Sequence, residues 1–118
     1  MRNNRAPNFL YRAFVLSAYD GDTVKVKIDL GFSIFSVVVL RLKGIDTPEL
    51  RGGTPETKAA GRAARDFTRS KLVGQWCLVQ TEQDKKGKYG RYIAEIILNG
   101  ISFNNLLVAE GHAVEKHY

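Results

Sequence analysis

The stretch Phe9–Lys43, FLYRAFVLSAYDGDTVKVKIDLGFSIFSVVVLRLK, decides the fold. Its opening, Phe9–Ala18, is rich in β-branched and aromatic side chains and reads as a strand. Tyr19-Asp20-Gly21-Asp22 follows, and an Asp-Gly pair between two apolar runs is a strong hairpin signal. Thr23–Asp29 then alternates, with Val24, Val26 and Ile28 on one face and Lys25 and Lys27 on the other, so only one face is offered to a core. Gly31 interrupts the pattern. Ser33–Lys43, dense in valine, is predicted to be the third strand of a meander.

Outside this stretch the punctuation continues. Met1–Asn8 is polar and reads as a flexible arm. Gly44–Gly53 is a predicted loop, marked by Pro48 and the Gly52-Gly53 pair. Thr54 as N-cap, Pro55 at the first helical position and Glu56 in the first turn predict a helix. Its apolar stripe is expected at Ala60, Ala63, Ala64, Phe67 and Leu72, and Gly74 ends it. Trp76–Thr81 is a fourth strand, Gln83–Gly90 a basic loop, and Arg91–Leu98 a fifth strand. After the Asn99-Gly100 turn, Ser102 caps a short second helix running to about Glu110. The order is three strands, helix, two strands, helix. It predicts an α+β, mainly β fold: a five-stranded Greek-key barrel of the OB type with two or so packed helices, filling residues 9–118 as one domain.

The composition narrows the function. A length of 118 residues suits one domain, and 44% hydrophobic with 25% charged residues is ordinary for a globular chain. No run approaches the ~18 apolar residues of a membrane span, so no membrane partner is expected. Met1–Pro7 is basic, and no apolar segment follows it, so no secretory signal is visible; the compartment is then extracellular if a signal was removed and cytoplasmic otherwise. The only cysteine, Cys77, excludes an internal disulfide and reads as a small core residue. A monomer is expected. The net charge of +6 favours phosphate polyanions or anionic surfaces as partners.

Three segments carry candidate chemistry. Asp20 and Asp22 flank the hairpin turn; considered alone, they are what a tight turn asks for. Asp46, Thr47 and Glu49 crowd oxygen side chains around Pro48, just beyond Arg41, and a solvated loop is the plain alternative. Lys88, Tyr89 and Arg91 place two cations and a stacking face among glycines, where the alternative is a flexible basic loop. Oxygen-rich clusters select hard cations such as calcium or magnesium. Zinc is not expected, because Cys77, His112 and His117 lack ligand spacing. Together the groups meet the needs of phosphodiester hydrolysis: guanidinium groups to clamp a charge-rich transition state, carboxylates to hold a metal ion, and a free carboxylate to take a proton from water.

With these segments in this order, from about Tyr11 to about Val114, the chain resembles the staphylococcal nuclease family. The resemblance implies calcium rather than magnesium, held by Asp22, Asp46 and the Thr47 carbonyl. It implies Glu49 as general base, Arg41 and Arg91 on the phosphate, Lys88 and Tyr89 as substrate contacts, and Asp20 behind the metal. It also implies cleavage of DNA and RNA to 3′-phosphate and 5′-hydroxyl ends. The sequence departs from the family in its short loop before Tyr89, in Gly87 where many members are acidic, and beyond Gly111, where His117 and Tyr118 stand in place of substrate-flanking aromatic residues. The competing expectation is a non-catalytic OB-fold module that binds single-stranded nucleic acid.

Overall fold

In the computed structural model, which describes residues 9–83 and 92–116, the predicted meander is present as β1 (Phe9–Asp20), β2 (Thr23–Asp29) and β3 (Phe35–Leu42). There follow β4 (Ile45–Asp46), α1 (Pro55–Leu72), β5 (Trp76–Gln83), β6 (Tyr92–Leu98), β7 (Ile101–Ser102), α2 (Phe103–Ala109) and β8 (Val114–Glu115). The arm 1–8 lies outside the described residues.

The alternation read in β2 is the one the barrel uses. Val24, Val26 and Ile28 are buried, and so are Ala13 and Val15 of β1, Leu40 and Leu42 of β3, Cys77 and Val79 of β5, and Ala94 and Ile96 of β6. β1 pairs antiparallel with β2 and β5, β2 with β3, and β5 with β6. A parallel pairing of β3 with β6, Leu40 opposite Tyr92 and Leu42 opposite Ala94, closes the sheet into the five-stranded OB-type barrel. Closure over Leu40–Leu42 gives the aliphatic side chains one shared interior. The Cys77 thiol sits in that interior, where burial pushes its pKa up to about 11. Among the described residues no helix is long and apolar enough to cross a membrane.

Three local expectations need correction. The third strand starts at Phe35 rather than Ser33, because Gly31, Phe32 and Ser33 all have positive φ and the Ile34 amide donates to the Gly31 carbonyl, closing the hairpin tip. The segment after Gly44 is not wholly irregular: Ile45 and Asp46 pair with Glu115 and Val114 of β8. The buried face of α1 is Gly61, Ala64, Thr68 and Leu72, whereas Ala60 and Ala63 are exposed. Spacings of three, four and four are helical, but two of the four residues carry no apolar signal. Gly61 lies against the Pro48–Glu49 loop backbone and Thr68 against the Gly21 carbonyl, and both approach so closely that only a small or hydrogen-bonding side chain fits.

A buried asparagine joins α2 to the barrel seam. The Asn104 side-chain amide donates to the Lys43 and Ala94 carbonyls at 2.9 and 3.1 Å, and its oxygen accepts from the Ile96 amide at 3.1 Å. Asn104→Leu orphans the buried Ile96 N–H, at about 1–3 kcal/mol for a buried group left unpaired, and takes this donor from the part-buried Lys43 carbonyl. The urea midpoint is expected to fall well below wild type; an unchanged midpoint would contradict this account of the seam.

Candidate functional site

The β1–β2 turn and the end of β3 are tied together by backbone. Thr23 lies opposite Arg41, and the Leu42 amide donates to the Asp22 carbonyl at 2.8 Å. That register places the Asp22 carboxylate, in a residue only 5% exposed, against the Arg41 side chain. Arg41 Nη1 donates to Asp22 Oδ2 at 2.7 Å and Nη2 to Asp46 Oδ1 at 2.5 Å, so one guanidinium forks between carboxylates from two segments. Nη2 also reaches the Ile45 carbonyl at 3.3 Å. Asp22 Oδ2 accepts in addition from the Thr47 amide at 3.2 Å, and Oδ1 from the Thr23 hydroxyl at 3.2 Å. Asp20 stands behind, accepting from the Asp22 amide at 3.1 Å.

These contacts split the two turn carboxyls. For Asp20, burial acts first, and a hydrogen bond with Asp22 and its charge push the same way, raising the pKa to about 6. For Asp22 burial also works upward. Hydrogen bonds with Asp20 and Arg41, the Arg41 charge and the Thr47 amide outweigh it and leave that carboxyl below its ordinary value.

Helix α1 is the platform under both acidic segments. The Thr68 hydroxyl donates to the Gly21 carbonyl at 2.7 Å in a buried contact. A Cβ at Gly21 would stand 2.9 Å from both Ala64 Cβ and Thr47 Cγ2. A Cβ at Gly61 would stand 2.7 Å from the Glu49 carbonyl oxygen and 2.8 Å from that of Pro48. The loop backbone that presents Glu49 therefore rests directly on a glycine of the helix. Gly61→Ala should gain up to about 1 kcal/mol from helix propensity alone. The contact predicts the reverse, a lowered thermal midpoint, because backbone must shift to admit the methyl group. A raised midpoint would show that the loop does not sit where described.

Of the residues singled out in the sequence, Asp20, Asp22, Arg41, Asp46 and Thr47 come together. Glu49 is exposed on the adjoining loop, and its carboxylate has no hydrogen bond or ion pair among the described residues. Lys88, Tyr89 and Arg91 lie outside the described residues. Sequence reasoning missed Lys116, whose ammonium lies 3.3 Å from Asp46 Oδ2. The β4–β8 pairing brings it there, and no local pattern announces a two-residue strand. It also missed Gly61, although a glycine inside a helix is costly enough to be a signal of close approach.

Among the described residues no group of three or more His, Cys, Asp and Glu side chains is disposed to hold a metal ion. Asp22 and Asp46 nevertheless present oxygen atoms to one positive centre, and oxygen donors of this kind fit a hard dication.

Comparison with known proteins decides the family. Residues 39–118, which include Arg41, Asp46, Thr47 and Glu49, match the family model described as staphylococcal nuclease homologue. The chain belongs to this family. The staphylococcal nuclease homologue is 34% identical over 104 residues to the thermonuclease of Staphylococcus hyicus, covering 88% of this chain and 59% of that protein. It is 34% identical over 99 residues to the thermonuclease of Staphylococcus intermedius, covering 84% of this chain and 56% of that protein. A third relative, an uncharacterized protein of Methanocaldococcus jannaschii, is 33% identical over 125 residues, with 87% of this chain and 58% of that protein covered. The chain thus spans somewhat more than half the length of each of these three relatives.

Proposed function

We propose that this staphylococcal nuclease homologue is a calcium-dependent nuclease that hydrolyses phosphodiester bonds of DNA and RNA, leaving 3′-phosphate and 5′-hydroxyl ends. The observation that carries the reading is the Arg41 fork: one guanidinium held between Asp22 and Asp46 at hydrogen-bonding distance. The family membership and the two thermonuclease relatives support it.

In this reading Asp22, Asp46 and the Thr47 carbonyl hold the ion, with calcium favoured over magnesium on the family resemblance. Calcium, when bound, neutralises charge on the phosphoryl oxygens and orients water. Arg41, released from one carboxylate, turns its planar fork on a phosphate, which it grips bidentately without changing protonation. Arg91 clamps the same group and assists the leaving 5′-oxygen. The Glu49 carboxylate, which no described partner holds, accepts the proton of the attacking water at a carboxylate oxygen. Lys88 and Tyr89 contact phosphate and base of the substrate. Asp20 acts through Asp22, whose amide it holds.

The direct test is incubation with calcium of heat-denatured DNA and, separately, RNA. Both should be cut, and the fragments should accept a 5′ label from a kinase without prior phosphatase treatment. Intact substrates would sink the reading. Salt-sensitive binding without cleavage would transfer the chain to the non-catalytic module.

A further inference from the structure

The outer wall of the barrel continues away from Arg41 in rows. Buried Val24, Val26, Ala13, Val15 and Cys77 fix which side chains point inward, and their neighbours along each strand therefore point out. One step along β2 from the Arg41–Thr23 pair lies Lys25, opposite Val39; the next step is Lys27, opposite Val37 and, across β1, Phe14. Phe14 in turn faces Trp76 of β5, with ring centroids 5.4 Å apart. The last row holds Phe35 and Arg12. From Arg41 to Phe35 the wall runs about 20 Å.

We propose that this wall is a binding surface for single-stranded nucleic acid, continuous with the Arg41 site and centred on Lys25, Lys27, Phe14, Trp76, Phe35 and Arg12. The inference rests on the nuclease reading only for its direction of travel. Three arguments carry it. The first is charge: the cations Lys25, Lys27 and Arg12 face one carboxylate, Asp29, which already lies 3.9 Å from Arg12. Successive lysines along one face of a strand repeat every ~7 Å and so meet a repeating anion rather than a point charge. The second is the rings. Trp76 and Phe35 are 43% and 46% exposed, large surfaces for a barrel wall and suited to unpaired bases, whose faces a duplex hides. The third is how the cations are parked. Lys27 lies over the Phe35 ring at 4.6 Å and Arg12 over the Trp76 ring at 4.8 Å. Exposed contacts of this kind are weak. A phosphate draws each cation aside and leaves a ring open to a base. On OB-type barrels generally the face of the second and third strands is where oligonucleotides lie.

Trp76 is the only tryptophan, so its emission reports on this wall directly. The experiment titrates the full chain, in chelator, with a single-stranded oligothymidylate of about a dozen residues, long enough for an OB-type site, and separately with thymidine monophosphate. The oligonucleotide should change Trp76 emission saturably; the mononucleotide should not. With a labelled oligonucleotide, Trp76→Ala should weaken binding about five- to 150-fold. The double variant Lys25→Gln, Lys27→Gln should reduce the slope of log affinity against log salt by about 0.7 for each lysine. Circular dichroism confirms that each variant is folded. Oligonucleotide binding with unchanged emission and an unchanged slope would overturn the proposal. So would failure to bind, or an emission change produced only by phosphatidylserine vesicles. Because no metal is present and nothing is cut, these results stand apart from the cleavage assay: either reading can fail while the other survives.

Discussion

Glu49→Ser is expected to slow calcium-supported cleavage of denatured DNA by about two to four orders of magnitude, the usual contribution of a positioned general base. It should leave stability within about 0.5 kcal/mol of wild type, as a surface substitution does. The contrast follows from where the residue sits. Glu49 is exposed, and no described hydrogen bond or ion pair engages its carboxylate, whereas its backbone is fixed against Gly61. Removal of the carboxylate takes away a proton acceptor and nothing that holds the fold. Single-turnover cleavage and urea unfolding of the same preparation check both halves. Activity within tenfold of wild type would remove Glu49 from the reaction.

Arg41→Ala should do the opposite, damaging both chemistry and fold. The Asp22 carboxylate is nearly out of solvent and loses the guanidinium 2.7 Å away. Breaking a buried pair from one side costs about 3–5 kcal/mol. The half-exposed Asp46 adds little to that sum. The pH dependence supplies a sign. In the wild type the folded-state pKa of Asp22 lies below its ordinary value, so its contribution is present above about pH 4 and is lost as pH falls through the folded value. Without Arg41 only the Asp20 and Thr47 hydrogen bonds oppose burial, so the folded-state pKa of Asp22 rises and the variant loses stability relative to the wild type as pH rises. The gap between the two proteins should therefore widen from about pH 4 to pH 7 when both are unfolded by urea in chelator. A gap independent of pH would mean that Asp22 is not the group Arg41 holds. Cleavage by the variant should also fall by about 10²–10³-fold, as for loss of one transition-state donor.

The barrel was legible because its local signals agree. The β2 alternation, the Asp-Gly turn and the order of strands and helices all point to one closed sheet. The helix face was not legible, because Gly61 and Thr68 are buried for closeness rather than for hydrophobicity. The hairpin tip was misplaced because Phe32 and Ser33 adopt positive φ, which neither residue type signals.

The candidate site was legible as a set of charges and not as a geometry. Asp22, Arg41 and Asp46 stand out by type, but their convergence on one guanidinium comes from the β2–β3 register and the backbone bond between Leu42 and Asp22. Lys116 reaches Asp46 only through pairing at long range in sequence, which periodicity does not reveal. The third segment, Lys88, Tyr89 and Arg91, lies outside the described residues and enters through the family resemblance.

The central proposal is that Asp22 and Asp46 hold a hard cation for phosphodiester cleavage, and the resemblance to thermonucleases implies that the cut falls inside a nucleic-acid chain. Circular single-stranded DNA, incubated with calcium, with magnesium or with chelator, tests it most directly. The account predicts that the circle is opened and then shortened with calcium, cut more slowly with magnesium, and left intact with chelator. A circle that survives in calcium, or one cut equally well in chelator, would contradict it.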